Sequence, residues 1–310
     1  MYDGFGVDHI GIGVDNMEKM KTFYQEVLGF DHFIAAMPRK DHTVIHELQR
    51  TAPTIHDHIH FNQTAGGISI ALFRSYEPVP RPIRKDFRYG DIGLSKTTIA
   101  VKDVDQFYTE MKGSINFCSQ PKHTTISELG DYHFIYCRDP ENNMVEFVSD
   151  ATIKDKSKFG GMRSVGMSVT DLQRSISYYQ KYLGFDKVVV KTHENFSGLV
   201  DEISGGTNTQ VRSCVLANSK GGGMIELFEV MKPRGRSIPF SAMWGDFGYL
   251  QTCLYGYDIK DTEEYFKKEN LGFLLKPQVI DDPIYGGMSF LYVRDADGAP
   301  IEFMTIPKPK

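Results

Sequence analysis

Along this chain apolar residues alternate in short runs and then recur every three or four positions. That change of period happens four times. The first instance is "VDHIGIGV" (7–14), where apolar residues alternate with small or polar ones as in a strand. Asn16 then serves as N-cap for a helix with Met17, Met20, Tyr24, Val27 and Leu28 on one face, and Gly29 ends it. Strand patterns follow in "FDHFIAAM", "HDHIHFN" and "GISIALF", the last two joined by a turn at Gly66-Gly67. The predicted unit is therefore strand, helix and three strands.

A second unit starts near Ser95. "KTTIAVKD" is its first strand, Asp103 its N-cap, and Val104, Phe107, Tyr108 and Met111 its helical stripe. Its closing hairpin is "YHFIYCRDPENNMVEFVSD", with the turn at Asp139 to Asn143. Units three and four repeat the plan from Arg163 and from about Leu250, and the last helix is predicted to start at Asp261. The third and fourth units are copies of the first and second. Gly11, Val14, Tyr24 and Gly29 return as Gly166, Val169, Tyr179 and Gly184, and "RDPENNMVEF" returns as "RDADGAPIEF". A repeat of this length is a duplicated domain rather than a solenoid unit. The polar stretch "ATIKDKSKFGG" joins the halves.

Composition narrows the function. The 310 residues, 41% hydrophobic and 24% charged, suffice for two cores, and the net charge of −5 with no basic run argues against a nucleic-acid partner. No apolar run approaches the length of a membrane span, and the N-terminus lacks a basic stretch followed by an apolar core. A cytoplasmic protein without membrane partners is expected, as monomer or homodimer. The four cysteines (Cys118, Cys137, Cys214, Cys253) have no CxxC spacing and read as free thiols.

Paired strand–helix–three-strand modules, "FYQEVLGF" at the first helix end and "RDPENNMVEF" closing a pair resemble the vicinal oxygen chelate superfamily. That group holds glyoxalase I, extradiol ring-cleaving dioxygenases, methylmalonyl-CoA epimerase and the fosfomycin- and bleomycin-resistance proteins; four modules on one chain most resemble the dioxygenases. The resemblance implies an α+β fold in which four βαβββ modules pair into two tandem domains. Each domain would be a curled mixed sheet forming a cup with helices outside. The expected domains are 1–152 and 162–310, with 153–161 as linker and modules at about 5–78, 92–150, 162–232 and 247–307.

In such folds metal ligands stand at the start of a module's first strand and in its last strand. On that basis the first half offers His9 and Glu146, while Ala71 and Lys96 hold the remaining slots. Alternating histidines in "HDHIHF" share one strand face, so His58 or His60 could complete a site with His9 and Glu146, or make ordinary hydrogen bonds. The second half has Ser164 in place of His9, with Glu226, Gln251 (or Thr252, one register step on) and Glu302 either as oxygen donors, a set that would favour Mg²⁺ or Mn²⁺, or as polar residues on an open sheet face. Fe²⁺ and Zn²⁺ are the other divalent candidates. Tyr285 and Tyr292 are candidate acid/base or orienting groups. The resemblance to a dioxygenase also implies an acid/base histidine a few residues upstream of an apolar-Tyr pair, and neither "IYCRDPENNMVE" nor "LYVRDADGAPIE" has it. "VPRPIRKDFRYGD" brings Arg81, Arg84, Lys85 and Arg88, with Lys96 beyond, near the first cup's entrance as a solvated crossover or an attractor of anions.

The expectation is a divalent-metal-dependent enzyme polarising adjacent oxygens of a small substrate, by isomerase, lyase or dioxygenase chemistry. The alternative is a metal-free small-molecule binding protein of the bleomycin-resistance type.

Overall fold

A computed structural model describes residues 4–49, 52–154, 157–239, 242–256, 258–280 and 287–305. All four predicted units form. The first comprises β1 (Gly4–Gly13), α1 (Met17–Thr22), β2 (His32–Asp41), a one-turn α2 (His46–Gln49), β3 (Ile55–Asn62) and β4 (Ser69–Glu77). The second has β5 (Gly93–Ala100), α3 (Val104–Met111), β6 (Lys122–Ile126), β7 (Gly130–Arg138) and β8 (Met144–Ser149). In the third are β9 (Met162–Ser168), α4 (Leu172–Tyr182), β10 (Lys187–His193), a short α5 (Asp201–Ser204), β11 (Gln210–Ala217) and β12 (Met224–Lys232). The fourth contains β13 (Gly248–Gly256), α6 (Ile259–Lys268), β14 (Phe273–Ile280), β15 (Met288–Arg294) and β16 (Pro300–Thr305).

The helices start where short polar side chains can satisfy free backbone N–H groups. Asn16, Asp103 and Asp171 each accept from the backbone N–H three residues on. The fourth helix begins earlier than Asp261: Asp258 accepts from the N–H groups of Lys260 and Asp261, and buried Ile259 opens the apolar stripe. The first helix widens to a π turn over Phe23–Val27, which the 3.6-residue pattern did not show. Gly29 and Gly184 follow the first and third helices at φ +71° and +76°, a region open to glycine.

Each module contributes its strands in the order two, three, four, one, with the first and fourth parallel and the rest antiparallel. The fold is thus α+β, two curled eight-stranded mixed sheets. The pairing of modules differs from the expectation that each half makes its own cup. One sheet runs β14-β15-β16-β13-β1-β4-β3-β2 and unites modules one and four; the other runs β10-β11-β12-β9-β5-β8-β7-β6 and unites two and three. The antiparallel seams are β1 with β13 and β5 with β9. Hydrophobic periodicity specifies which face of a strand is buried but carries no information about which module meets its edge.

Side chains instead tie the two modules of each half together across the sheets. The Tyr24 hydroxyl of module one donates to Asp139 in module two at 3.0 Å, and Glu141 accepts from the backbone N–H groups of Asp15 and Asn16. Tyr179 and Asp295 repeat the first bond at 3.0 Å. One continuous apolar core, drawn from all four modules, lies on the helix side of the sheets and includes Ile10, Met20, Phe107, Phe147, Tyr179, Leu227 and Phe303. Side chains alternate along β1, so Ile10 and Ile12 enter this core while His9 faces the opposite, concave side.

Candidate metal centre

The swapped pairing redistributes the candidate ligands. His9, Gln251 and Glu302 meet in the cup of modules one and four; Lys96, Glu146, Ser164 and Glu226 belong to the cup of modules two and three. The groupings His9 with Glu146, and Glu226 with Gln251 and Glu302, are therefore not formed, because their members lie in different sheets.

In the cup of modules two and three, the inner one in chain order, the cation is already part of the protein; the cup of modules one and four is the outer. Lys96 is fully buried, and its Nζ sits 2.7 Å from Glu146 Oε2 and 2.9 Å from Glu226 Oε2. Tyr136 and Thr98 donate hydroxyls to Glu146 at 2.6 and 2.8 Å. Burial alone would push the Lys96 pKa down, but the two carboxylates outweigh it and hold the ammonium charged. Burial and the neighbouring Glu146 raise the Glu226 pKa, against the pull of Lys96. Rings of Tyr136, Phe196 and Phe228 surround the ammonium within 6 Å. A Cβ at Gly166 would lie 2.4 Å from Lys96 Cγ, so only glycine leaves the lysine stem room. A divalent metal does not fit beside a resident ammonium. This lysine is in the heart of a cup, not in a solvated crossover. Of its neighbours in that stretch, Arg84 and Arg81 pair with Asp91 and Asp246.

The outer cup is open. It encloses a cavity of about 280 Å³ lined by His9, His56, His58 and His60 together with Phe73, Trp244, Tyr292 and Glu302. Asp8 Oδ2 holds His9 Nδ1 at 2.9 Å, which turns Nε2 toward Glu302 Oε2 at 3.5 Å. An imidazole anchored at one nitrogen by a carboxylate and aimed at a second carboxylate by the other is the usual setting of a ligating histidine, so the residues fit a divalent metal. Burial acts to lower the His9 pKa, yet Cys253, Asp8 and Glu302 together raise it. Gln251 donates from Nε2 to Glu302 Oε2 at 2.6 Å, while its Oε1 accepts from the indole N–H of Trp244. Gly11, the counterpart of Gly166, leaves space for Gln251 as Gly166 does for Lys96.

Of the two alternating histidines, His60 comes closest to His9, with ring centroids 4.9 Å apart. It pairs across the strands with Ala71, the slot that lacks a ligand, and its Nε2 bonds Ser69 Oγ at 2.7 Å. His58 lines the same cavity beside Phe73. Burial depresses the pKa of His60 and brings His56 down to about 2, so both are neutral. Tyr292 is buried opposite Glu302 in the β15–β16 ladder, and burial with that carboxylate raises its pKa. Tyr285 lies outside the described residues.

Three contributors were not legible as site residues: Asp8, Trp244 and Cys253. Cys253 is two residues beyond Gln251 on the same strand face, a signal available from β periodicity once Gln251 is placed. The donor atoms of His9, Cys253 and Glu302 all lie within 4.8 Å of one another. A wider cleft of about 1170 Å³, bordered by Arg81, Arg84 and Phe247, meets the outer cup at Trp244.

A model of the Glyoxalase/Bleomycin resistance protein/Dioxygenase superfamily matches residues 6–147 and again 161–303. Glyoxalase I from Zea mays is similar in structure, with a TM-score of 0.60 at 16% identity over 96% of this chain and 92% of that one. A single-residue mutant of that enzyme reaches 0.64, also at 16% identity, over 98% and 94%. A Bacillus subtilis subsp. subtilis str. 168 protein, provisionally assigned as a dioxygenase, gives 0.57 at 15% identity over 99% and 87%. At these identities the likeness concerns the fold. No curated protein sequence matches the chain. No helix among the described residues is long and apolar enough to cross a membrane.

Proposed function

Since the chain belongs to the Glyoxalase/Bleomycin resistance protein/Dioxygenase superfamily, matched over both halves, we propose that it is a divalent-metal-dependent enzyme whose working site is the outer cup. The carrying observation is the Asp8–His9–Glu302 alignment opening onto the cavity. A divalent ion bound there supplies Lewis-acid polarisation of adjacent oxygens on a small substrate. Asp8 fixes the His9 tautomer and ring. Gln251, itself held by Trp244, steers one oxygen of Glu302. Tyr292 stays a neutral phenol facing that carboxylate. His56 and His60 form an uncharged wall, and the cavity's described lining has neither Lys nor Arg, which supports a neutral, compact substrate over an anionic one. Isomerase, lyase and dioxygenase chemistry all begin with such polarisation.

The test is elemental analysis of protein purified without chelator. Wild type and Glu226→Gln are expected to carry one equivalent of metal, and Glu302→Ala none. Metal retained by Glu302→Ala, or a metal-free wild type after reconstitution with Fe²⁺, Mn²⁺, Mg²⁺ and Zn²⁺, would refute the proposal.

A further inference from the structure

We infer that Cys253 is itself a metal ligand, making a His9–Cys253–Glu302 donor set that selects a borderline ion such as Zn²⁺ over Mg²⁺. This assignment rests on the outer cup being the metal site.

Three adjacent strands build the set. Cys253 on β13 stands opposite His9 on β1 in the antiparallel seam, and opposite Glu302 on β16 in the parallel ladder. Directly opposed residues share a sheet face, so all three side chains enter the cup. Their donor atoms lie within 4.8 Å of one another, and all three residues are buried. The thiol is placed by the two neighbouring strands rather than by a flexible loop, as a preformed ligand should be.

Gln251 does not compete for the same role. Its amide oxygen accepts from Trp244 and its amide N–H₂ donates to Glu302. Reversing the amide would set N–H₂ against the indole N–H and oxygen against the carboxylate, so the orientation is determined by its partners. Gln251 therefore presents hydrogen, not oxygen, toward Glu302 and serves as a positioning residue. The third donor must come from another side chain, and Cys253 is in place.

The inner cup supports the distinction. Thr98 stands where Cys253 does, and its hydroxyl donates to Glu146 beside an ammonium that needs no ligand of its own. Among the described residues, the outer cup's lining has no Lys or Arg, and the cup carries a thiol at that position. Thiolate and imidazole donors favour Zn²⁺ and its soft neighbours, whereas Mg²⁺ prefers oxygen.

Cobalt substitution reads the thiolate directly. Apo-protein loaded with Co²⁺ is expected to show visible d–d bands together with a near-ultraviolet thiolate-to-cobalt charge-transfer band. In Cys253→Ser the charge-transfer band should vanish while the d–d bands persist. Zn²⁺ affinity should fall by more than about 100-fold, the upper end of what loss of an outer-shell partner costs. Cys137→Ser should change neither. Cobalt bound with d–d bands alone in wild type, or a charge-transfer band surviving in Cys253→Ser, overturns the assignment while leaving the outer-cup metal intact. If wild type binds neither Co²⁺ nor Zn²⁺, the assignment falls together with the reading beneath it.

Discussion

The two cups descend from one plan and have solved the same problem in opposite ways. Each brings four slots together on the concave face of a sheet. The outer holds His9, Ala71, Gln251 and Glu302; the inner holds Ser164, Glu226, Lys96 and Glu146. The inner cup surrounds its carboxylates with a covalently attached cation and closes over it with aromatic rings. The outer leaves a cavity next to an anchored histidine. Three of the four slots differ, and of these Lys96 against Gln251 is the one that puts a cation inside the inner cup. A lysine at a ligand slot thus substitutes the charge of a metal while discarding its open coordination positions.

The largest expected effect comes from removing that charge. Lys96→Met leaves Glu146 and Glu226 together in a dry interior, which should cost ~3–5 kcal/mol of stability in urea unfolding. Adding Glu146→Gln and Glu226→Gln should restore most of it, since an apolar or neutral replacement of a whole buried ion network is often nearly free. Gln251→Met in the outer cup removes only neutral-donor hydrogen bonds and should cost about 1–3 kcal/mol. Equal losses in the two cups would show that the inner triad is not specially dependent on its ammonium.

A gain-of-function variant sharpens the same comparison. Lys96→Gln with Ser164→His gives the inner cup a histidine and an amide at the outer cup's positions, where Glu226 stands beside Glu146 as the third donor in place of a thiol. A second equivalent of metal is expected by elemental analysis, bound ~10–100-fold more weakly than the first because the new histidine lacks an anchor. Asp8 has Arg163 as its counterpart, and Arg163 is committed to Asp150 at 2.5 Å. One equivalent in a folded double variant would mean that the carboxylate behind the histidine decides occupancy, rather than the slot residues.

How far these cups could be read from the chain follows from what periodicity encodes. Modules, the N-caps Asn16 and Asp103 and the turn at Asp139–Asn143 were legible, because each depends on residues close in sequence. Glu146 and Glu302 were named through the resemblance, which puts a carboxylate in a module's last strand, and both are buried there. Edge-to-edge pairing was not. β1 meets β13 from more than 200 positions away, and nothing local in either strand names the other. Every error in grouping the ligands follows from that single ambiguity. Lys96 read as part of a basic stretch for the same reason: its two partners come from β8 and β12, elements that the chain brings to it only in the folded state.

The smallest effect tests what the halves kept in common while their cups diverged. Asp295 and Asp139 each hold a hairpin turn, and burial raises both to a pKa of about 6 despite hydrogen bonds that oppose the shift. Asp295 is the cleaner probe. One of its oxygens accepts from the N–H groups of Asp297 and Ala299, and the other accepts from the Tyr179 hydroxyl, which can rotate. A folded-state pKa above the unfolded value near 3.9 means that the native protein binds this proton more tightly. The resulting stability is complete below about pH 4 and is lost as pH rises through about 6, at most ~3 kcal/mol for a two-unit shift. Asp295→Asn mimics the protonated acid. Relative to wild type it should be near neutral in urea unfolding at pH 4 and gain stability by pH 7. A difference that does not vary with pH, or that reverses sign, would place the ionised carboxylate among the groups that stabilise the turn.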